Sequence, residues 1–195
     1  MNGLKRTASI VLGLLLMLIL VVYPSMGASK VKVVTTTSNL ASIAKEVGGK
    51  RVSVSALAPP TQDPHYQSAR PSMVANISQA DVFVKNGLKL EVGWVPELMR
   101  QARNQSIRPG GKGHIDASAG VNALDIPRGS VDRSMGDIHS TGNHHFTMDP
   151  VRTKQSAYNI VQALAKVDPD GRSYYVERLK QYYSDVDRVV NQWKN

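Results

Sequence analysis

Between Lys30 and Ala117 the apolar positions switch repeatedly between two periods. Val31-Lys32-Val33-Val34-Thr35-Thr36 is short and β-branched, which predicts a buried strand. Leu40, Ile43, Ala44 and Val47 then follow helical spacing, with Ser38 placed to cap that helix and Gly48-Gly49 to end it. Val52, Val54 and Ala56 alternate as a second strand that stops at Pro59-Pro60. Pro71 suits a first helical turn, and Val74 and Ile77 face inward behind it. Val82-Phe83-Val84 predicts a third strand, closed by Asn86-Gly87. The helix after it carries Val95, Leu98, Met99 and Ala102 on one face, and His114-Ile115-Asp116-Ala117 predicts a fourth strand. Strands alternating with helices at this spacing imply right-handed crossovers and a parallel sheet covered on both sides. The predicted fold class is therefore α/β, a parallel sheet flanked by helices.

The periodicity stops between Ser118 and His145. Loops of that length inside compact domains are usually functional or disordered. Helical signals then return: Asp149-Pro150 reads as an N-cap followed by proline at the first helical position, and Asp168-Pro169 repeats the device. In the last segment Tyr175, Leu179, Tyr182, Val186, Val189 and Trp193 form one continuous apolar stripe. Helical from Pro169 to Lys194, it would be about 39 Å long at 1.5 Å per residue. A lobe of this size does not need so long a helix for itself. The stripe reaches Trp193 with no C-cap glycine behind it, so the expectation is a chain truncated within its own architecture.

At the other end, Lys5 and Arg6 precede an apolar run from Ile10 to Val22 and then Tyr23-Pro24-Ser25-Met26-Gly27-Ala28. A short basic start, an apolar stretch too short to span comfortably and small residues behind it describe a secretory signal peptide, residues 1–27. Cysteine is absent, which excludes disulfides, thiolate metal sites, a cysteine nucleophile and a lipid-modified cysteine. The expected location is periplasmic. The net charge is +9, and loss of Lys5 and Arg6 with the leader lowers it by two. Arg100, Arg103, Arg108, Lys112, Arg128 and Arg133 are scattered without interleaved aromatic residues, so the charge reads as solvated surface and no nucleic-acid partner is expected.

In a chain without cysteine, the five histidines are the natural ligands for a borderline metal such as Zn²⁺ or Mn²⁺. His65, in Gln62-Asp63-Pro64-His65-Tyr66, falls just past the C-terminal end of the second strand, where open α/β sheets collect ligands. Asp63 is placed to hold its other ring nitrogen. His144 and His145 lie where the long loop meets a helix. As sequence neighbours they point in different directions, so one ligand is expected from the pair. His114 reads as a structural residue within its strand, and His139 as a loop residue.

Three segments together resemble a known family. They are Gln62-Asp63-Pro64-His65-Tyr66 followed by Arg70-Pro71-Ser72; Lys85-Asn86-Gly87-Leu88-Lys89-Leu90-Glu91; and Ser134 to His139 continuing through Gly142-Asn143-His144-His145-Phe146-Thr147-Met148-Asp149-Pro150. From Val31 to Trp193 the chain resembles the N-terminal lobe and connecting helix of the zinc and manganese solute-binding proteins of bacterial ABC importers, once called adhesin-like lipoproteins. The resemblance implies two lobes bridged by a long helix, with metal held between them by two ligands from each. It places the first histidine on His65. The family's asparagine-proline-histidine motif falls on Asn143-His144-His145, which selects His145 and puts His144 where the family has proline, leaving an extra candidate ligand.

The implied organisation is a signal peptide over 1–27, an N-terminal α/β metal-binding lobe over 28–167 and a truncated interlobe helix over 168–195, the C-terminal lobe being absent. The implied role is the exported substrate-binding component of a metal importer, capturing Zn²⁺ or Mn²⁺ through a half-site of His65 and His145. Its partners would be the metal ion and the importer's membrane permease, with the chain itself a monomer, not an enzyme, and without an organic cofactor. Two imidazoles leave the remaining positions of a four-coordinate metal to water, so binding by this chain alone should be weak and should fade on acidification, because only neutral imidazole coordinates. A secreted metal-dependent hydrolase is the alternative class, although no H-E-x-x-H or G-x-S-x-G motif is present. A surface adhesion protein is the third, and the missing lipid-attachment cysteine argues against it.

Overall fold

A computed structural model describes residues 29–129, 131 and 140–194. The expected signal peptide, residues 1–27, and His139 lie outside the described residues. Four strands form one sheet: β1 (Val31–Thr35), β2 (Val52–Ala56), β3 (Val82–Lys85) and β4 (His114–Asp116). Every pairing is parallel and the order is β2-β1-β3-β4. Val33 of β1 stands between Val54 of β2 and Val82 of β3, and Phe83 pairs with His114. The connecting helices are α1 (Ser38–Gly48), α2 (Pro71–Ser78) and α3 (Val95–Ala102), followed after the long loop by α4 (Pro150–Val167) and α5 (Arg172–Lys194). Among the described residues no strand or α-helix lies between Asp116 and His145, matching the loss of periodicity there.

Alternation along the strands sorts the apolar side chains into two cores. Val31, Val33, Val82 and Val84 face α1, α4 and α5 and pack with Leu40, Val47, Ile160, Leu164 and Tyr175. Val34 and Phe83 point the other way, onto Met73 and Ile77 of α2 and Trp94 and Leu98 beside and within α3. A sheet buried on both faces explains why β1 and β3 read as near-continuous apolar runs. The chain leaves β1 toward β2 and later crosses to β3 on the other side. The loops after β1 and β3 therefore diverge, and a crevice opens at the C-terminal ends of the strands.

The two Asp-Pro signals have different outcomes. At α4, Asp149 Oδ1 accepts from the backbone N–H groups of Val151 (2.8 Å) and Arg152 (3.3 Å), the predicted cap. Asp168 does not cap the long helix. Its oxygens are taken by Arg51, whose Nε and Nη2 each donate at 2.8 Å, and by the Tyr175 hydroxyl at 2.6 Å. Pro169–Gly171 is consequently a 3-10 turn, and the long helix starts at Arg172 instead of Pro169. Ser38 also differs from expectation. It is the first helical residue, behind a Thr37 cap position that makes no side-chain capping bond, and its carbonyl accepts from the Ser42 hydroxyl. On α5 the stripe buries Tyr175, Leu179 and Val186 and then emerges, leaving Trp193 72% exposed. No helix among the described residues is long and apolar enough to cross a membrane.

Candidate metal centre

The crevice at the strand ends contains a cleft of about 170 Å³ lined by Thr37, Asn39, Pro59, Pro64, Asn86, His144 and His145 among others. One wall is the segment that follows β2. It stays attached to the sheet after the strand ends: Leu57 N–H donates to the Thr35 carbonyl at 2.9 Å and Ala58 N–H to that of Thr36 at 3.0 Å. Further along, the buried Trp94 donates its indole N–H to the Pro64 carbonyl at 2.9 Å, fixing the backbone just ahead of His65. Asp63 then holds His65 twice. One carboxylate oxygen accepts from the His65 backbone N–H at 2.8 Å and lies 2.6 Å from ring Nδ1. A proton on Nδ1 shared with the carboxylate puts the ring's lone pair on Nε2, the arrangement that suits a metal-binding imidazole. The His65 N–H and ring together hold the Asp63 carboxyl below the usual aspartate range.

The opposite wall is the end of the long loop. Gly142 has φ +98°, and a side chain there would meet the Leu124 carbonyl at 2.8 Å. That same carbonyl accepts the Asn143 N–H at 2.7 Å, and the Asn143 amide donates to Asp125 at 3.0 Å. Asn143 Oδ1 in turn accepts the His145 N–H at 2.9 Å, an Asx turn that aims the chain into the 3-10 turn His145–Met148. From the sheet side, Asn86 at the end of β3 donates its amide N–H to the His144 carbonyl at 3.0 Å. Two asparagines thus fix the backbone of this wall on either side of the adjacent histidines.

Asn86 is itself held by Glu91, a carboxylate only 3% exposed. Glu91 accepts from the Thr36 hydroxyl (2.6 Å), the Asn86 N–H (2.5 Å) and the Gly87 N–H (3.2 Å). Burial pushes the Glu91 carboxyl above the ordinary glutamate range, and these donors pull it back down. They stabilise a loop that would otherwise be costly: Gly87, Leu88 and Lys89 all have positive φ, an arrangement disfavoured at the two non-glycine positions. This side chain joins the ends of β1 and β3, in addition to the Thr36 N–H donated to the Val84 carbonyl (2.9 Å) and the Asn86 N–H donated to the Thr36 hydroxyl (3.2 Å).

The three imidazoles come together where these two segments meet. The ring centres of His65 and His144 are 4.5 Å apart in an edge-on arrangement, those of His144 and His145 are 4.2 Å apart, and those of His65 and His145 are 6.5 Å apart. His144 is 4% exposed, whereas His145 lies on the open side of the cleft. His114 stands apart, its Nδ1 2.7 Å from the Ile107 carbonyl, in keeping with a structural role. Among the described residues no group of three or more His, Cys, Asp or Glu side chains is already arranged to hold a metal ion. Nε2 of His65 and both ring nitrogens of His144 are buried, and the His145 side is exposed. Sequence reasoning identified the histidines and Asp63 but missed Asn86, Glu91 and Trp94. Asn86-Gly87 reads as the close of a strand, and Asn86 and Glu91 both lie in the family-like segment Lys85 to Glu91, which by itself assigns neither of them a role.

The chain is similar to proteins of known kind. The chain is 29% identical over 171 residues to the manganese ABC transporter substrate-binding lipoprotein PsaA of Streptococcus anginosus, an alignment covering 86% of this chain and 52% of that protein. It is also 29% identical to the metal ABC transporter substrate-binding lipoprotein SsaB of Streptococcus sanguinis, over 87% of this chain and 52% of the relative. The chain thus spans about half the length of the curated relatives it matches. The crystal structure of the metal-dependent lipoprotein YcdH from Bacillus subtilis superposes with a TM-score of 0.65 at 27% identity, covering 84% of this chain and 55% of that one. A crystal structure of ZnuA shares the fold with a TM-score of 0.69 at 23% identity, over 84% of this chain and 59% of the other. Residues 33–195 match the family profile described as zinc-uptake complex component A, periplasmic, and the chain therefore belongs to that family of solute-binding transport proteins.

Proposed function

We propose that this chain is the metal-capturing part of an exported substrate-binding protein, presenting Zn²⁺ or Mn²⁺ to the membrane permease of an ABC importer, with His65 and His145 as metal ligands. The metal is cargo here, taken up and released. The observation that carries the reading is the convergence of His65, its Nδ1 held by Asp63, with the asparagine-clamped His144-His145 pair at the strand-end crevice of this fold. The relatives named as manganese or metal ABC transporter proteins support the cargo class. Residues 28–167 form the metal-binding lobe in this reading, and 168–195 the helix leading toward a second lobe. Periplasmic location rests on the leader-like segment 1–27.

Open cleft geometry and a cluster short of a full ligand cage favour weak, exchangeable binding by the lobe alone. Calorimetric titration of the 195-residue chain with Zn²⁺ at neutral pH should give one weak site, abolished in His65→Ala and in His145→Ala. Undiminished binding in both variants would overturn the assignment.

A further inference from the structure

We infer that His144 is a third metal ligand of this lobe, so that His65, His144 and His145 together present three imidazole nitrogens to a single cation of the Zn²⁺ class. The inference rests on the reading of the cleft as a metal site and extends it. Two imidazoles bound to one tetrahedral metal through bonds of about 2.0–2.1 Å have ring centres about 5 Å apart. His65 and His144, at 4.5 Å, are close to that separation, and so are His144 and His145, at 4.2 Å. His65 and His145, at 6.5 Å, are too far apart to share a metal without moving. The histidine ring nearest His65 is therefore that of His144, which the sequence resemblance left as an extra candidate.

The restraints on the three rings differ in a way that suits stepwise capture. His65 is fixed by Asp63. His144 is buried, with its carbonyl pinned by Asn86. His145 has its backbone fixed by Asn143 while its ring lies on the exposed side, where side chains change rotamer in picoseconds to nanoseconds. A cation bridging His65 and His144 is then completed by a swing of the His145 ring, which accounts for the lack of a ready three-ligand arrangement before the metal arrives. Three nitrogens and one open position are the donor set of zinc, whereas Mn²⁺ favours carboxylate and water oxygens. The lobe by itself should accordingly select zinc over manganese.

X-ray absorption spectroscopy of the full chain loaded with one equivalent of Zn²⁺ tests this, because imidazole rings are counted by their outer-shell scattering. Three rings per zinc are expected, falling to two in His144→Ala, with zinc affinity reduced at least roughly tenfold, the least that disturbing even an outer-shell partner costs. His144→Phe keeps a ring in the buried position without a nitrogen, so loss of a scatterer there separates ligation from packing. Two rings in the parent and the same two in both variants would overturn the third ligand while leaving His65 and His145 in place. No imidazole signature in the parent would overturn the metal site as a whole.

Discussion

The segments that carry His65 and His145 both line one cleft, and the chain restrains the two residues at different atoms. On the His65 wall the side chain is held: Asp63, two residues away, takes the ring Nδ1 and the backbone N–H through one carboxylate oxygen. On the His145 wall the backbone is held. Asn143 and Asn86 fix the peptide groups of His145 and His144, and the His145 ring is left to move. The first device is local in sequence and costs the fold little. The second depends on Glu91, a buried carboxylate that ties the ends of two strands together. In the proposed reading, a fixed imidazole facing an adjustable one would suit a site that takes up and surrenders a metal.

The largest effect separating the walls is expected from Glu91→Ala. It removes the acceptor of the Gly87 N–H and leaves the Asn86 N–H only its 3.2 Å bond to the Thr36 hydroxyl, at a turn where Gly87, Leu88 and Lys89 have positive φ, and loss of a buried acceptor costs about 1–3 kcal/mol. Urea denaturation of the metal-free variant should show a loss of roughly 2–4 kcal/mol, with weakened zinc binding because Asn86 no longer positions the His144 carbonyl. A stability loss with unchanged metal affinity would break the link between this network and the second wall.

Asp63→Ala should show the reverse pattern. Removing the partner of a metal-binding imidazole typically lowers affinity 10–100-fold, about 1.4–2.7 kcal/mol of binding free energy, by loosening tautomer and ring orientation. The Asp63 side chain is half exposed, so the metal-free protein should lose no more than about 1 kcal/mol in the same urea experiment. Equal damage to stability and affinity would mean that both walls are held by the fold in the same way.

This difference between local and distant restraint also decides what could be read from the sequence. β1 and β3 were visible because both their faces are buried and their residues are β-branched or aromatic. The Asp63–His65 contact was visible because its partners are two residues apart, and the Asp149 cap because its acceptor and donors are neighbours. The partner of His144 is Asn86, 58 residues away, and no periodicity announces it. The same holds for Asp168, which looks like a cap until Arg51, 117 residues earlier, is brought beside it by β2 and claims both oxygens. Nor does spacing rank His144 against His145. Their ring positions follow from the direction in which Gly142 and Asn143 turn the chain, and that direction is set by the Leu124 carbonyl and Asp125.

The Arg51–Asp168–Tyr175 cluster supplies the smallest effect and the sharpest control, because it lies at the base of α5, away from either wall. Arg51 holds the Asp168 carboxyl below the ordinary aspartate range, and burial pushes the Tyr175 hydroxyl upward. A carboxyl depressed in the folded state contributes stability that is fully present above its unfolded value of about 4 and is lost as the pH falls through the folded one. Arg51→Ala removes that depression. The urea midpoints of parent and variant should therefore differ most near neutrality and converge as the pH is lowered from about 6 to about 2.5. A gap that widened on acidification would contradict the assignment of Asp168 as the ionised partner. Zinc affinity at neutral pH should be the same in both proteins, since none of the three residues touches the histidines or the asparagines that fix them. If Arg51→Ala weakened zinc binding as Glu91→Ala is expected to, loss of global stability alone would explain the second wall's response, and Glu91 would have no separate part in placing His144.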